Sequence, residues 1–169
     1  MIEFGLVTID LRTMQVVRRI SIPVVPVAKV SAYCTALTGW TDAKLRKQGV
    51  SLAAACHRLE KLGVKNRLCV TDSADELVTV RAQCERLGIE SPFGHESLNI
   101  AAVFALFTQQ TRNLSLTEML AHLGLTFEGR LHSGVDDAFN IGRLFIKLVE
   151  LGRLSVANFA ACHGGGAGG

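Results

Sequence analysis

Apolar residues recur at Ile141, Leu144, Phe145, Leu148 and Leu151, at spacings of three and four. That period predicts one buried face of a helix running to about Leu151-Gly152. Four residues back from Ile141 the same face reaches Asp137, while Asp136 falls with Asn140 and Arg143 on the polar side. A carboxylate on the apolar side of a first helical turn is costly unless it is paired or binds a cation. It is also a common cap, favoured by the helix dipole, so spacing alone leaves both readings open. His132 lies five residues before Asp137, on the approach to the helix. A His and an Asp converging at a helix start fit a general base beside a metal ligand.

The rest of the pattern mixes strands and helices. Residues 2–12 predict a strand, 12–15 a turn and 16–22 a second strand, closing an antiparallel hairpin. Pro23 and Pro26 stop regular structure. Short helices are expected over residues 29–37, ended by Thr38-Gly39, and from Thr41-Asp42. Ser51 caps a third, with Leu52, Ala55, Cys56, Leu59 and Leu62 inward and Gly63 as its stop. A strand over residues 66–71 runs through Asp72-Ser73-Ala74-Asp75 into a helix ending at Leu87-Gly88, with Leu77, Val80, Cys84 and Leu87 inward. In such strand–helix units the site lies beyond the carboxyl end of the strand, where Asp75 falls. The alternative for Asp72 or Asp75 is a helix N-cap. Ser97-Leu98-Asn99-Ile100 is expected to start a buried helix containing Val103, Phe104, Leu106 and Phe107. Ser115-Leu116-Thr117-Glu118 is a capping box for a helix to about His122, closed by Gly124.

Composition narrows the class. With 169 residues, 49% of them apolar, the chain suits one α/β domain over residues 1–155. Residues 156–169 are expected as a tail, disordered through the glycine-rich run from 164. A formal net charge of +3 permits nucleic-acid binding without arguing for it. No apolar run approaches a membrane span, and Met1-Ile2-Glu3 enters a strand without a basic leader, so a cytoplasmic protein with no membrane partner is expected. The five cysteines are scattered and form no Cys-x-x-Cys pair, which predicts reduced thiols and neither zinc nor disulfides. His57, His95, His122 and His163 read as surface or tail residues.

Several separated patches then coincide. They are Ile2-Glu3-Phe4-Gly5, Cys34-Thr35-Ala36-Leu37-Thr38-Gly39, Thr71-Asp72 through Asp75, Gln83-Cys84, Leu98-Asn99-Ile100 and Leu123-Gly124-Leu125. The most specific is Glu128-Gly129-Arg130 with His132-Ser133-Gly134, Asp136-Asp137-Ala138 and Asn140-Ile141. In order and spacing they resemble the DEDDh branch of the DnaQ-like 3′–5′ exonucleases, and within it the KapD and histone-mRNA 3′-exonuclease subgroup. The resemblance covers the chain to about Gly152. It implies a ribonuclease H-like α/β fold, with a mixed central sheet flanked by helices. It implies removal of nucleotides from the 3′ ends of RNA or single-stranded DNA, with two divalent cations, Mg²⁺ or Mn²⁺. By position His132 matches the general base and Asp137 the metal ligand of the third motif. Asp75 matches the metal ligand of the second motif across a one-residue gap, with Asp72 as the fallback. Thr38, Gly39 and Trp40 fall where the terminal nucleotide binds; Trp40 either stacks on a base or packs half-buried.

The resemblance also predicts a loss. The first motif, Asp-x-Glu, is expected on a strand roughly 15–20 residues upstream of Ile2, at the looseness of loop-length priors. It is not in this sequence, and Glu3 and Asp10 belong to the next strand. In the family fold the missing strand lies between the one begun by Ile2 and the one ending at Thr71. The expectation is therefore an open place in the sheet and impaired activity in this chain. A truncated record is the preferred explanation, because His132, Asp137 and the packing pattern are otherwise intact. The alternative is a non-catalytic exonuclease-like module that binds nucleic acid or protein.

Overall fold

A computed structural model describes residues 1–73, 75–112 and 114–163, with the backbone alone for 154–163. The chain opens on the expected hairpin, β1 (Glu3–Asp10) and β2 (Gln15–Pro23), in antiparallel register from Glu3 opposite Pro23 to Asp10 opposite Gln15. The register slips between Thr8 and Ile9. Three short helices follow: α1 (Ala32–Thr38), α2 (Asp42–Gln48) and α3 (Leu52–Lys61). Ser31, Thr41 and Ser51 each accept a backbone N–H at their starts. These hydroxyls satisfy donors that an open helix end leaves orphaned. The helix expected from residue 29 begins only at Ala32, because Ser31 caps it.

A single 3₁₀ turn (Val64–Asn66) leads into β3 (Cys69–Thr71), then α4 (Asp75–Arg86). Next come β4 (Ser97–Asn99), α5 (Ile100–Thr108), α6 (Leu116–His122) and α7 (Gly134–His163). β4 is the strand that hydrophobic patterning missed. Three residues are too few to show alternation, and Asn99 also caps α5 by accepting from Ala101 and Ala102. The capping box at Ser115 and Glu118 forms as expected, with Gly124 in the left-handed region beyond the helix. α7 runs past Gly152 to His163, so the division placed at 155/156 falls inside a helix. The glycine run at 164–169 lies outside the described residues.

Two apolar clusters sit on opposite sides of the strands. One joins Phe4 and Ile22 to Leu52, Ala55, Cys56 and Leu59 of α3 and Leu77, Val80 and Cys84 of α4. The other joins Ile100 and Phe104 of α5 to Met119 and Leu120 of α6 and Ile141, Leu144, Phe145 and Leu148 of α7. Cys69 turns to the first cluster and Val70 to the second, the alternation of a strand buried on both faces. Four expected core residues lie outside these clusters: Leu87, Leu106, Phe107 and Leu151 are exposed, Leu106 by 80%. Leu106 and Phe107 stand in the last turn of α5 and Leu87 just beyond α4, whereas Leu151 lies mid-helix in α7.

The central sheet is divided. β1 pairs with β2, and β3 pairs with β4 in parallel from Cys69 opposite Ser97 to Thr71 opposite Asn99. Among the described residues no ladder joins the two pairs, while α7 packs across β1, β2 and β3. Between β1 and β3, where an extra strand is expected, there is no strand among the described residues. Each of these strands is hydrogen-bonded on one side only.

Candidate active site

α7 starts where three segments meet. Gly5 of β1 approaches Gly134 so closely that a Cβ on Gly5 would fall on the Gly134 carbonyl. Only glycine allows that approach. From the same strand Glu3 reaches the helix start. Its Oε2 accepts the Gly134 N–H at 3.2 Å and the Trp40 indole N–H at 3.0 Å, and its Oε1 accepts the Ser21 hydroxyl at 2.6 Å. A carboxylate is well placed there, against the positive end of a helix dipole.

The loop before α7 is strapped to the helix by the face that the sequence marks as polar. Asn140 is 0% exposed. Its Oδ1 accepts the Glu128 N–H at 3.0 Å, and its Nδ2 donates to the carbonyls of Glu128 and Asp136, both at 2.8 Å. Arg143 donates to the Thr126 carbonyl at 2.6 Å and pairs with Glu128 at 2.9 Å. Asp136 accepts the Arg130 N–H at 3.0 Å. The polar side thus packs against the chain's own loop, with Asn140 buried and Asp136 and Arg143 half-buried. An amide satisfies backbone groups on a neighbouring segment without the desolvation cost of a charge.

These straps set the position of His132. Its φ is +64°, left-handed for a residue with a Cβ. Such a conformation costs of order 1–3 kcal/mol and is held only where the surroundings enforce it. The His132 N–H donates to Asp137 Oδ1 at 3.3 Å. Asp137 therefore makes a capping-type contact, and it stands beside the histidine with which its position had paired it. The carboxyl is half-buried, and burial raises its pKa. The His132 contact opposes that rise, while the charges of Asp72 and Asp136 add to it.

Asp75 is the exposed first residue of α4. The nearby carboxylates whose charges bear on one another are Asp72, Glu76 and Asp137. Burial of the carboxyl end, then Asp72, then Asp137, push Glu76 up to about 7, although the residue as a whole is open to solvent. Sequence reasoning passed over Glu76. Its signal was its spacing of four from Asp72, about one turn at a helix start. Among the described residues no three His, Cys, Asp or Glu side chains converge as a set that could hold a metal ion.

Thr38, Gly39 and Trp40 close α1. Thr38 donates to the Cys34 carbonyl at 2.7 Å and accepts the Trp40 N–H at 3.2 Å, and Gly39 is left-handed at φ +73°. Arg130 donates to the Leu37 carbonyl at 3.4 Å, and a Cβ on Gly39 would strike its guanidinium. The segment expected to bind a nucleotide is thereby joined to the loop that carries His132.

A family profile described as exonuclease (RNase_T) matches residues 1–145. The chain belongs to this exonuclease family. Snipper, a 3′–5′ exonuclease of Drosophila melanogaster, is 29% identical over 90% of this chain and 62% of its own length. The 3′–5′ exoribonuclease 1 of Mus musculus is 29% identical over 89% of this chain and 47% of its own length. The chain thus spans only part of each of these relatives. The nuclease domain of 3′hExo, a DEDDh family member solved bound to rAMP, superposes with a TM-score of 0.80 at 25% identity, covering 89% of this chain and 81% of that one. A 3′-exonuclease solved in recognition of the histone mRNA stem-loop 3′ end gives 0.82 at 24% identity, covering 89% and 72%. The exonuclease family chain therefore has the ribonuclease H-like α/β fold of the DEDDh exonucleases. Among the described residues no helix is long and apolar enough to cross a membrane.

Proposed function

We propose that this chain is the greater part of a 3′–5′ exonuclease domain acting on single-stranded 3′ ends of RNA or DNA. The observation that carries the reading is the pairing of His132 with Asp137 at the start of α7, with Asp72 and Glu76 across from them. His132 takes the proton from the attacking water. The water oxygen bonds to the last phosphorus, and the 3′ oxygen of the preceding nucleotide leaves, so the terminal nucleotide departs as its 5′-monophosphate. Residues 38–40 seat that nucleotide, with Trp40 at its base.

Asp137, with Asp75 or its fallback Asp72, is the proposed donor set for Mg²⁺ or Mn²⁺. Asp137 is raised first by burial and then by the charges of Asp72 and Asp136, and a half-buried carboxylate among others suits a hard divalent cation. The set is incomplete for a pair of ions, since among the described residues no three such side chains converge. The activity of the chain alone is expected to be very weak or undetectable. A second reading, a non-catalytic module that binds nucleic acid or protein, is favoured by the same incompleteness. A reducing, cytoplasmic setting accords with Cys56 and Cys84, whose sulfurs lie unbonded at 3.7 Å.

The test is incubation of the purified chain with 5′-labelled single-stranded RNA and Mn²⁺. Stepwise shortening that His132→Ala abolishes supports the enzyme. Shortening that survives both His132→Ala and Asp137→Ala overturns it. RNA bound without shortening moves the assignment to the module.

A further inference from the structure

We propose that Glu3 is a positioning residue whose carboxylate joins residues 38–40 to the start of α7, so that the nucleotide platform and the His132 loop move as one unit. The geometry stands by itself; its meaning for catalysis rests on the site reading above. One oxygen, Oε2, holds both the Trp40 indole N–H and the Gly134 N–H, groups from elements far apart in the chain. Gly134 is two residues from His132 and three from Asp137. The other oxygen holds Ser21, which anchors the carboxylate to β2. Both oxygens already accept hydrogen bonds, the role of a brace between segments. Two further features keep the same segments in contact: Arg130 reaches the Leu37 carbonyl across Gly39, and Gly5 lies flush against Gly134.

Substitution separates the bonds from the charge. In Glu3→Gln the amide oxygen accepts both N–H groups, the amide nitrogen donates to Ser21, and the Ser21 hydroxyl turns to accept. Glu3→Ala removes every bond. A brace predicts rescue by Gln; a role resting on charge alone does not.

The experiment is ¹⁵N NMR on the full chain, reading hydrogen exchange at the Trp40 indole N–H and the Gly134 amide. Both are expected to be protected in the wild type, to exchange roughly tenfold faster or more in Glu3→Ala, as for loss of a bond to a charged acceptor, and to recover in Glu3→Gln. Adenosine 5′-monophosphate is then added. The Trp40 and His132 signals should both shift in the wild type, and in Glu3→Ala the Trp40 shift should persist while the His132 shift is lost. Should Glu3→Ala not fold, Trp40→Phe removes the indole donor together with part of the ring, and a His132 shift that persists in it overturns the proposal. So does wild-type exchange that is unprotected, or protection unchanged by Glu3→Ala. If the nucleotide shifts nothing in the wild type, the site reading fails, and the exchange rates still decide the brace.

Discussion

Two helices of this chain carry a glutamate in the first turn, and their surroundings push the two in opposite directions. Glu118 of α6 accepts the Ser115 N–H and hydroxyl and pairs with Arg112, and these bonds hold it down at about 2. Glu76 of α4 is pushed up to about 7, first by burial of its carboxyl and then by the charges of Asp72 and Asp137. The residue type and the first turn are shared, with Glu76 second in α4 and Glu118 third in α6, and what surrounds the carboxyl differs. Donors facing the carboxyl favour its charge; burial and like charges oppose it. The start of α7 lies between these extremes. Asp136 is bonded as in a cap, whereas Asp137 takes one long bond from His132 and feels Asp72 as well.

The comparison breaks first if α7 does not start where Gly5 and Gly134 hold it. Gly5→Val places a side chain on the Gly134 backbone and should cost about 3 kcal/mol or more, by the scale of overpacked sites and the largest single-site effects. Denaturant unfolding measures this, and a near-native midpoint would refute the close approach. Next comes the strap. Asn140→Ala removes three hydrogen bonds to part-buried backbone groups of Glu128 and Asp136 and should cost about 2–3 kcal/mol. It should also raise hydrogen exchange at the Glu128 amide; unchanged exchange there would show the loop is held by other means.

The smallest effects are those of pH, measured as melting temperature in chelator. Glu76 has a folded pKa above its unfolded value, so the folded state binds more protons between about 4.5 and 7. Its cost is absent below that window and grows as pH rises through it. Glu76→Gln should therefore stabilise the chain at pH 8, by on the order of 1 kcal/mol or less because the residue is exposed and screened. Glu118 has a depressed pKa, so its contribution is present above about 4.5 and is lost as pH falls towards 2. Glu118→Gln should lower the melting temperature at pH 7 and leave it unchanged near pH 2. Equal pH profiles for the two variants would erase the contrast between cap and site.

Local chemistry marked much of this molecule in advance. The caps at Ser31, Thr41, Ser51 and Ser115 are contacts within a few residues, and a chain pattern contains them. The buried stripe Ile141, Leu144, Phe145 and Leu148 of α7 follows from a period. Position also singled out His132 and residues 38–40, since their motifs are contiguous. Tertiary structure alone decided how these pieces meet. Glu3 and Gly134 are 131 positions apart, and no periodicity links them. Asn140 looks like a surface amide until the 126–130 loop folds over it. Asp137 comes to act on Asp72 and Glu76 only because α7 packs against β3. The division of the sheet has the same origin, because which strand edges are covered depends on which strands come to lie side by side.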